Sequence, residues 1–205
     1  MDRGALSQLD ISVLVLKYHN DLCKAHIKNS YAQELDFIVG YDARNQFISN
    51  LARDQKGNTL VLFNYVEKHG KPLHRLLEKK LDKDRKLFYV SGETDVDTRE
   101  SVREITETQT NAVIVASIGT FSTGINIRNL HNIIFASPSK SQIRVLQSIG
   151  RGLRKSDDGR MTKLYDIADD LHWKNRKNYT LQHAAERIKI YSKEKFKYKL
   201  YDINI

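Results

Sequence analysis

The sequence predicts an α/β domain with a mostly parallel central sheet flanked by helices. Three observations carry that expectation. Six short apolar runs recur along the chain, segments of helical period lie between them, and most of the runs are continuously apolar rather than alternating. A continuous run of Val, Ile, Leu, Phe and Tyr suits a strand covered on both faces, as in a parallel sheet under helical layers. Alternation of strand and helix then implies crossover connections, which are right-handed.

The runs, in order, are ISVLVLKY (11–18), TLVLFN (59–64), KLFYVS (86–91), AVIVAS (112–117), NIIFAS (132–137) and TKLYDIA (162–168). Between the first two, Ala32–Asp54 spaces Leu35, Ile38, Val39, Phe47, Ile48 and Leu51 as one face of a helix would. Glu67–Leu81 does the same with Leu73, Leu76, Leu77 and Leu81, and Asp97–Thr108 with Val102 and Ile105. Ligands of such sheets bind beyond the carboxyl ends of the strands, so the residues just after each run are the first candidates for function. Asp166, Asp169 and Asp170 stand at the end of the last run, where a helix N-cap or a solvated turn is the reading preferred over a metal site.

The segment 171–200 is different in character. It holds nine Lys and Arg against two acids, with Trp173, Tyr179, Tyr191, Phe196 and Tyr198 interleaved. Leu181–Lys199 reads as a helix with Ala184, Ile188, Tyr191 and Lys195 on one face. Such a helix either packs on the domain through its aromatics or presents a basic face to nucleic acid. The expected division is a domain over residues 1–170 and a basic helical extension over 171–205 packed on it.

Composition narrows the chemistry. The single cysteine, Cys23, excludes an internal disulfide and a cysteine-based zinc site. The seven histidines are scattered; His69 and His74 are the closest pair and have no third ligand nearby, so no metal site is expected. No apolar run approaches the roughly 18 residues a membrane span needs, and MDRGALSQLDISV lacks the build of a signal peptide, so a cytoplasmic protein without membrane contact is expected. A net charge of +9 favours polyanionic partners, with a solvated surface as the plain alternative.

Two stretches carry chemistry. In QSIGRGLR, Gln147, Arg151 and Arg154 fall at i, i+4 and i+7 and form one helical stripe, while Leu146, Ile149 and Leu153 form another. Gly150 and Gly152 each cost a helix roughly 1 kcal/mol against Ala, a cost accepted where a ligand or backbone comes close. Paired guanidinium groups suit phosphate oxygens, being planar, always charged and bidentate; a solvent-facing basic helix is the alternative. In ASIGTFSTGINI (116–127), small and hydroxyl residues follow an apolar strand, as in a phosphate-contacting loop or an ordinary strand–helix turn.

These two stretches, in this order and separated by one strand, resemble motifs V and VI of the second RecA-like domain of superfamily 2 helicases. TLVLFN resembles motif IV, and YVSGETDVDTRESV (89–102) resembles the segment after it, matching at Gly92 and Arg99. The resemblance covers roughly Thr59–Lys155 and extends through YDIADD (165–170). Within the superfamily it is strongest to phage recombination helicases, ATP-dependent translocases that unwind branched DNA and migrate junctions. It implies a RecA-like three-layer fold and a motor domain acting in recombination or repair.

The resemblance also assigns roles. Arg151 and Arg154 would be arginine fingers on the ATP γ-phosphate, with Gln147 and Gly150 in the same cleft. Gly124 and Asn126 would contact the nucleotide or link it to the DNA site. Ser117, Gly119 and Thr120 would touch phosphates of the tracked strand, and Phe63, Asn64, Gly92 and Arg99 would form a DNA-facing rim. Asn126 stands where many members have Asp, and the span from Ser117 to Gly124 is one residue longer than common, which leaves Ser117 and Thr120 as alternative contacts. The partner would be DNA, branched or single-stranded, a preference that comes from the resemblance alone.

No G-x-x-x-x-G-K-[ST] occurs; in His69-Gly70-Lys71-Pro72 proline replaces the hydroxyl that would hold Mg²⁺. ATP with Mg²⁺ is therefore expected to be held by a first RecA-like domain, in cis or in trans, and this chain alone is expected to be inactive. A non-catalytic nucleic-acid-binding module and the motor half of a restriction-type translocase are the alternatives.

Overall fold

A computed structural model of the chain describes residues 9–122, 129–138 and 159–205. The first strand, β1 (Leu9–Lys17), is followed by three helices, α1 (Asn20–His26), α2 (Tyr31–Gly40) and α3 (Asp42–Asp54). Then come β2 (Thr59–Phe63), a wide π-type turn over Val66–Gly70, α4 (Lys71–Lys80), β3 (Leu87–Val90) and α5 (Val96–Thr108). β4 (Val113–Ser117), the short α6 (Ile118–Ser122) and β5 (Asn132–Phe135) follow. The chain closes with β6 (Thr162–Asp170), α7 (Tyr179–Lys193) and β7 (Lys197–Asn204).

The strands form one sheet in the order β3-β4-β2-β5-β6-β1-β7, and every neighbouring pair is parallel. Successive side chains of a strand point to opposite faces, so a strand buried on both faces must be apolar throughout. β2 meets that demand, with all five residues buried. Leu60 and Leu62 join Ile114, Ala116, Ile133 and Phe135 in a core that also takes Ala184 and Tyr191 of α7 and Val102 of α5. Val61 and Phe63 face the other way, with Val113, Val115 and Ile134, against Ile38 of α2, Ile48 of α3 and Leu73 and Leu77 of α4. The result is the expected three-layer α/β arrangement.

Two helical expectations change in detail. Ala32–Asp54 is two helices, because Tyr41 holds an extended backbone (φ −73°, ψ 115°) between them. α2 starts at a capping box in which Ser30 and Gln33 satisfy each other's backbone N–H groups. The basic segment does not continue as a helix to Lys199. α7 stops because Lys195 adopts φ 59°, and Phe196 N–H and Lys195 N–H return to the carbonyls of Tyr191 (2.9 Å) and Ser192 (3.2 Å). This is a Schellman stop with lysine where glycine is usual. The accompanying ring contact, Tyr191 to Phe196 at 6.1 Å, is present too. Residues 197–204 then add a parallel edge strand beside β1.

The three acids of β6 are neither a cap nor a solvated turn. Asp166 accepts two bonds from Arg187 of α7, both 2.9 Å, and one from the Tyr191 hydroxyl at 2.7 Å. Asp169, on the opposite face, accepts from Arg44 Nε (2.7 Å) and Nη2 (3.1 Å) and from the Tyr18 hydroxyl (2.7 Å). Arg44 and Asp169 are both completely buried. Arg187, one of the nine basic residues of the 171–200 segment, is buried as well. Asp170 pairs with Lys17 at 2.5 Å and with His172. Burial would raise its carboxyl pKa, but the Lys17 and His172 contacts outweigh that and lower it.

Removing one partner of a buried ion pair leaves a charge without compensation and costs about 3–5 kcal/mol. Arg44→Met is expected to lower stability by that amount in urea unfolding. Arg44→Met combined with Asp169→Leu should recover much of the loss; a double variant as weak as the sum of the singles would show that Arg44 and Asp169 do not act as a pair.

Candidate nucleic-acid interface

Because all strands run the same way, the carboxyl ends of β3, β4 and β2 lie side by side on one edge. The register aligns Phe63 with Ser117 and Val90 with Ala116. Parallel strands are about 4.8 Å apart, so the residues just beyond these ends are neighbours. Asn64, Gly92, Ser117, Gly119 and Thr120 therefore meet on this edge although up to 56 residues separate them in sequence.

Each position has its own local cause. Ser117 and Thr120 share a 2.6 Å hydroxyl–hydroxyl bond, and Thr120 N–H reaches Ser117 Oγ at 3.4 Å, so both hydroxyls are held where β4 passes into α6. Gly119 is exposed, and an added Cβ would meet nothing within 4 Å. Gly92 is likewise open; it lies in a turn closed by Ser91 N–H to Thr94 Oγ1 at 3.0 Å. Arg99 follows the Asp95 cap of α5, its Nε directed to the Asp95 carbonyl at 3.4 Å. Asn64 is exposed, and its N–H donates to Ser137 Oγ at 2.9 Å.

Phe63 does not belong to the rim. Its side chain is fully buried, stacked on Tyr89 with ring centroids 5.7 Å apart. A Cβ on Gly70 would sit 2.4 Å from the Phe63 ring, so the glycine is needed for the Val66–Gly70 turn to close over it. That use accounts for the Gly70-Lys71 pair, and Lys71 itself is engaged by Glu67. Gln147, Gly150, Arg151, Arg154, Gly124 and Asn126 lie outside the described residues.

Ser137 and His69 form a support that the motifs do not include, although Ser137 closes the apolar run NIIFAS, next to where a ligand edge is expected. Ser137 is buried and stands 3.4 Å from His69 Nδ1 behind Asn64. Burial drives the His69 pKa well below its ordinary value, and the Arg44 charge adds to the effect. The imidazole is therefore neutral at physiological pH.

The opposite edge is closed by polar stitching. Asn58, fully buried, donates to the carbonyls of Thr106, Gln109 and Asn129 and accepts Ala112 N–H at 2.8 Å. Among the described residues there is no group of three His, Cys, Asp or Glu that would hold a metal ion. No helix among them is long and apolar enough to cross a membrane.

Residues 42–156 match the family described as helicase conserved C-terminal domain. The whole chain is 34% identical over 218 aligned residues to the ATP-dependent DNA helicase uvsW of Enterobacteria phage T4, of which it spans 43%. Its fold superposes on the crystal structure of T4 UvsW with a TM-score of 0.82 at 35% identity, covering 97% of this chain and 42% of that one. At 13% identity, the type ISP restriction-modification enzyme LlaBIII shares the fold with a TM-score of 0.59 over 97% of this chain and 16% of its own.

Two outcomes are expected of this edge. Gly119→Ala should leave stability unchanged or raise it by about 0.5–1 kcal/mol, since Ala is the better helix former; a backbone phosphate bound at this edge would be held more weakly, as read by fluorescence anisotropy with DNA. Unchanged affinity would remove Gly119 from the interface. For His69, an unfolded histidine titrates near 6.5 and the folded one well below, so the unfolded state binds more protons in between. Stability is present above pH of about 6.5 and falls as pH drops below it, by up to about 1.4 kcal/mol per unit. Urea melts at stepwise lower pH should show this slope, and His69→Gln should flatten it.

Proposed function

Since this chain belongs to the helicase conserved C-terminal domain family, we propose that it is the C-terminal motor domain of an ATP-dependent DNA helicase or translocase acting on branched DNA in recombination or repair. The observation that carries this reading is the meeting of exposed Asn64, Gly92 and Gly119 with the buried, mutually bonded hydroxyls of Ser117 and Thr120 at one edge, in a chain 34% identical along its whole length to a DNA helicase. The division into residues 1–170 as motor domain and 171–205 as extension is part of the proposal, as is a cytoplasmic location, in the host cell if the protein is phage-encoded.

The chemistry expected of these residues is positional and electrostatic. A first RecA-like domain, in cis or in trans, holds ATP and Mg²⁺. Arg151 and Arg154 reach across the cleft and neutralise charge on the transferring phosphoryl group, a contribution of about 10³–10⁵ in rate for such arginines. Gln147 and Gly150 line the same cleft, and Gly124 and Asn126 join it to the strand path. The paired hydroxyls of Ser117 and Thr120 bind a backbone phosphate, and Gly119 lets that phosphate approach the main chain. Asn64, Gly92 and Arg99 extend the contact along the edge. Opening and closing of the cleft shifts this grip relative to that of the other domain, which moves the strand.

The test uses the two-domain protein. Arg154→Ala is expected to abolish DNA-stimulated ATP hydrolysis while DNA affinity stays within about twofold. Turnover near that of the parent would rule out the arginine-finger role, and salt-sensitive DNA binding with no hydrolysis in the parent would favour a purely binding module.

A further inference from the structure

A second surface on the same edge of the sheet is not used by the motifs. Tyr65 directly follows Asn64 and is 39% exposed. The turn after it is tied to α2, which begins at Tyr31, by Lys68 and Asp36 at 2.7 Å. Burial raises the Tyr31 hydroxyl pKa, and the neighbouring Tyr65 and Glu34 raise it further. Tyr31, 37% exposed, meets Tyr179 of α7 edge to face with centroids 5.9 Å apart, and Tyr179 is 40% exposed. Three partly exposed rings thus lie between the loop after β2 and the start of α7, two of them in contact.

A basic turn borders the far end of this line. Trp173 and Arg176 exchange both backbone hydrogen bonds, 3.0 and 3.1 Å, across Lys174 and Asn175. Lys174 holds φ 52°, a conformation that L-residues seldom adopt. Lys174, Arg176 and Lys177 are exposed and enter no ion pair among the described residues. Arg176, Lys177 and Tyr179 line a groove of about 470 Å³ with Asn29, Asn175 and Gln182. The one acid there, Glu34, is buried and taken up by the start of α7, accepting Tyr179 N–H (3.0 Å) and Thr180 N–H (2.7 Å). Its charge is screened from the groove, which leaves the surface cationic.

We propose that Tyr65, Tyr31 and Tyr179, with the Lys174–Lys177 turn beside them, form a stacking track for single-stranded DNA. The track prolongs the strand path from the ends of β2 and β4 to the start of α7, and it rests on the reading of this chain as a DNA motor domain. Exposed aromatic rings bind bases through their faces without regard to sequence, while nearby cations take the backbone. A duplex hides those faces, so the track selects unpaired strands.

The test is binding of the full chain to a fluorescent dT20 and to a blunt duplex of equal length. Tyr31→Ala, Tyr65→Ala and Tyr179→Ala are each expected to weaken dT20 binding about 5-fold or more and to leave duplex binding unchanged. The corresponding Phe variants keep the ring and should stay within about twofold of the parent. Trp173 is the only tryptophan and lies in the basic turn, so dT20 should alter the parent's tryptophan fluorescence; this readout needs no variant to fold. Alanine variants that bind dT20 like the parent, equal losses on the duplex, or tight dT20 binding with silent Trp173 would each overturn the track alone. A parent that binds neither DNA would overturn both the track and the motor-domain reading.

Discussion

The architecture hangs on two buried ion pairs pointing in opposite directions from one strand. Asp166 and Asp169 of β6 are three residues apart and therefore face opposite sides of the sheet. Arg187 holds α7 to one side and Arg44 holds α3 to the other. Each carboxylate also takes a tyrosine hydroxyl, Tyr191 or Tyr18, so a planar guanidinium and a phenol together cover most of its acceptor sites. Burial and the neighbouring carboxylates raise both tyrosine pKa values well above the ordinary one, so each phenol remains a donor. Such pairs do little for net stability compared with apolar packing, but they tolerate few alternative arrangements. They fix where the two helical layers sit against a sheet whose apolar surface is otherwise uniform.

The same anchoring shapes the carboxyl edge of the sheet. With α3 and α7 anchored near the end of β6, Glu34 of α2 can reach the first backbone N–H groups of α7. Asn178 closes the connection by accepting Leu171 N–H (2.9 Å) and donating to the Asp169 carbonyl (3.0 Å). The loop after β6 is thus held from both helical layers. The amino edge is sealed by Asn58, and Gly57, at φ 96°, lies against the His131 ring, where a Cβ would come within 2.7 Å. The carboxyl edge beyond β2, β3 and β4 keeps exposed residues instead. Exposed Asn64, Gly92 and Gly119 mark the open side.

The relation to a 34% identical DNA helicase spans 43% of that protein. Low-identity neighbours such as LlaBIII share the chain trace alone. In such a fold the sheet is a platform, and specificity resides in the loops at the strand ends. Here the residues after β3 and β4 are small, and the tyrosines after β2, at the start of α2 and at the start of α7 are partly exposed.

The sequence by itself determined the six principal strands and the longer helical segments between them, though not α1, α6 or the break at Tyr41, because continuous apolar runs and helical spacing are local patterns that burial on two faces imposes directly. Where small and hydroxyl residues stand relative to the strands was legible too, since those after β4 and the Gly92 turn after β3 are local patterns. Tertiary structure decided the rest. The partners of Asp166 and Asp169 lie 21 and 125 residues away, so nothing local separates a buried acceptor from a solvated turn. The resemblance puts Phe63 on a DNA-facing rim, whereas the fold buries its ring against Gly70. Lys195 stops α7 in a conformation that its residue type does not advertise, because the Tyr191–Phe196 contact and the pairing of β7 with β1 offset the backbone strain. In each case the deciding energy comes from groups distant in sequence, and only the folded chain brings them together.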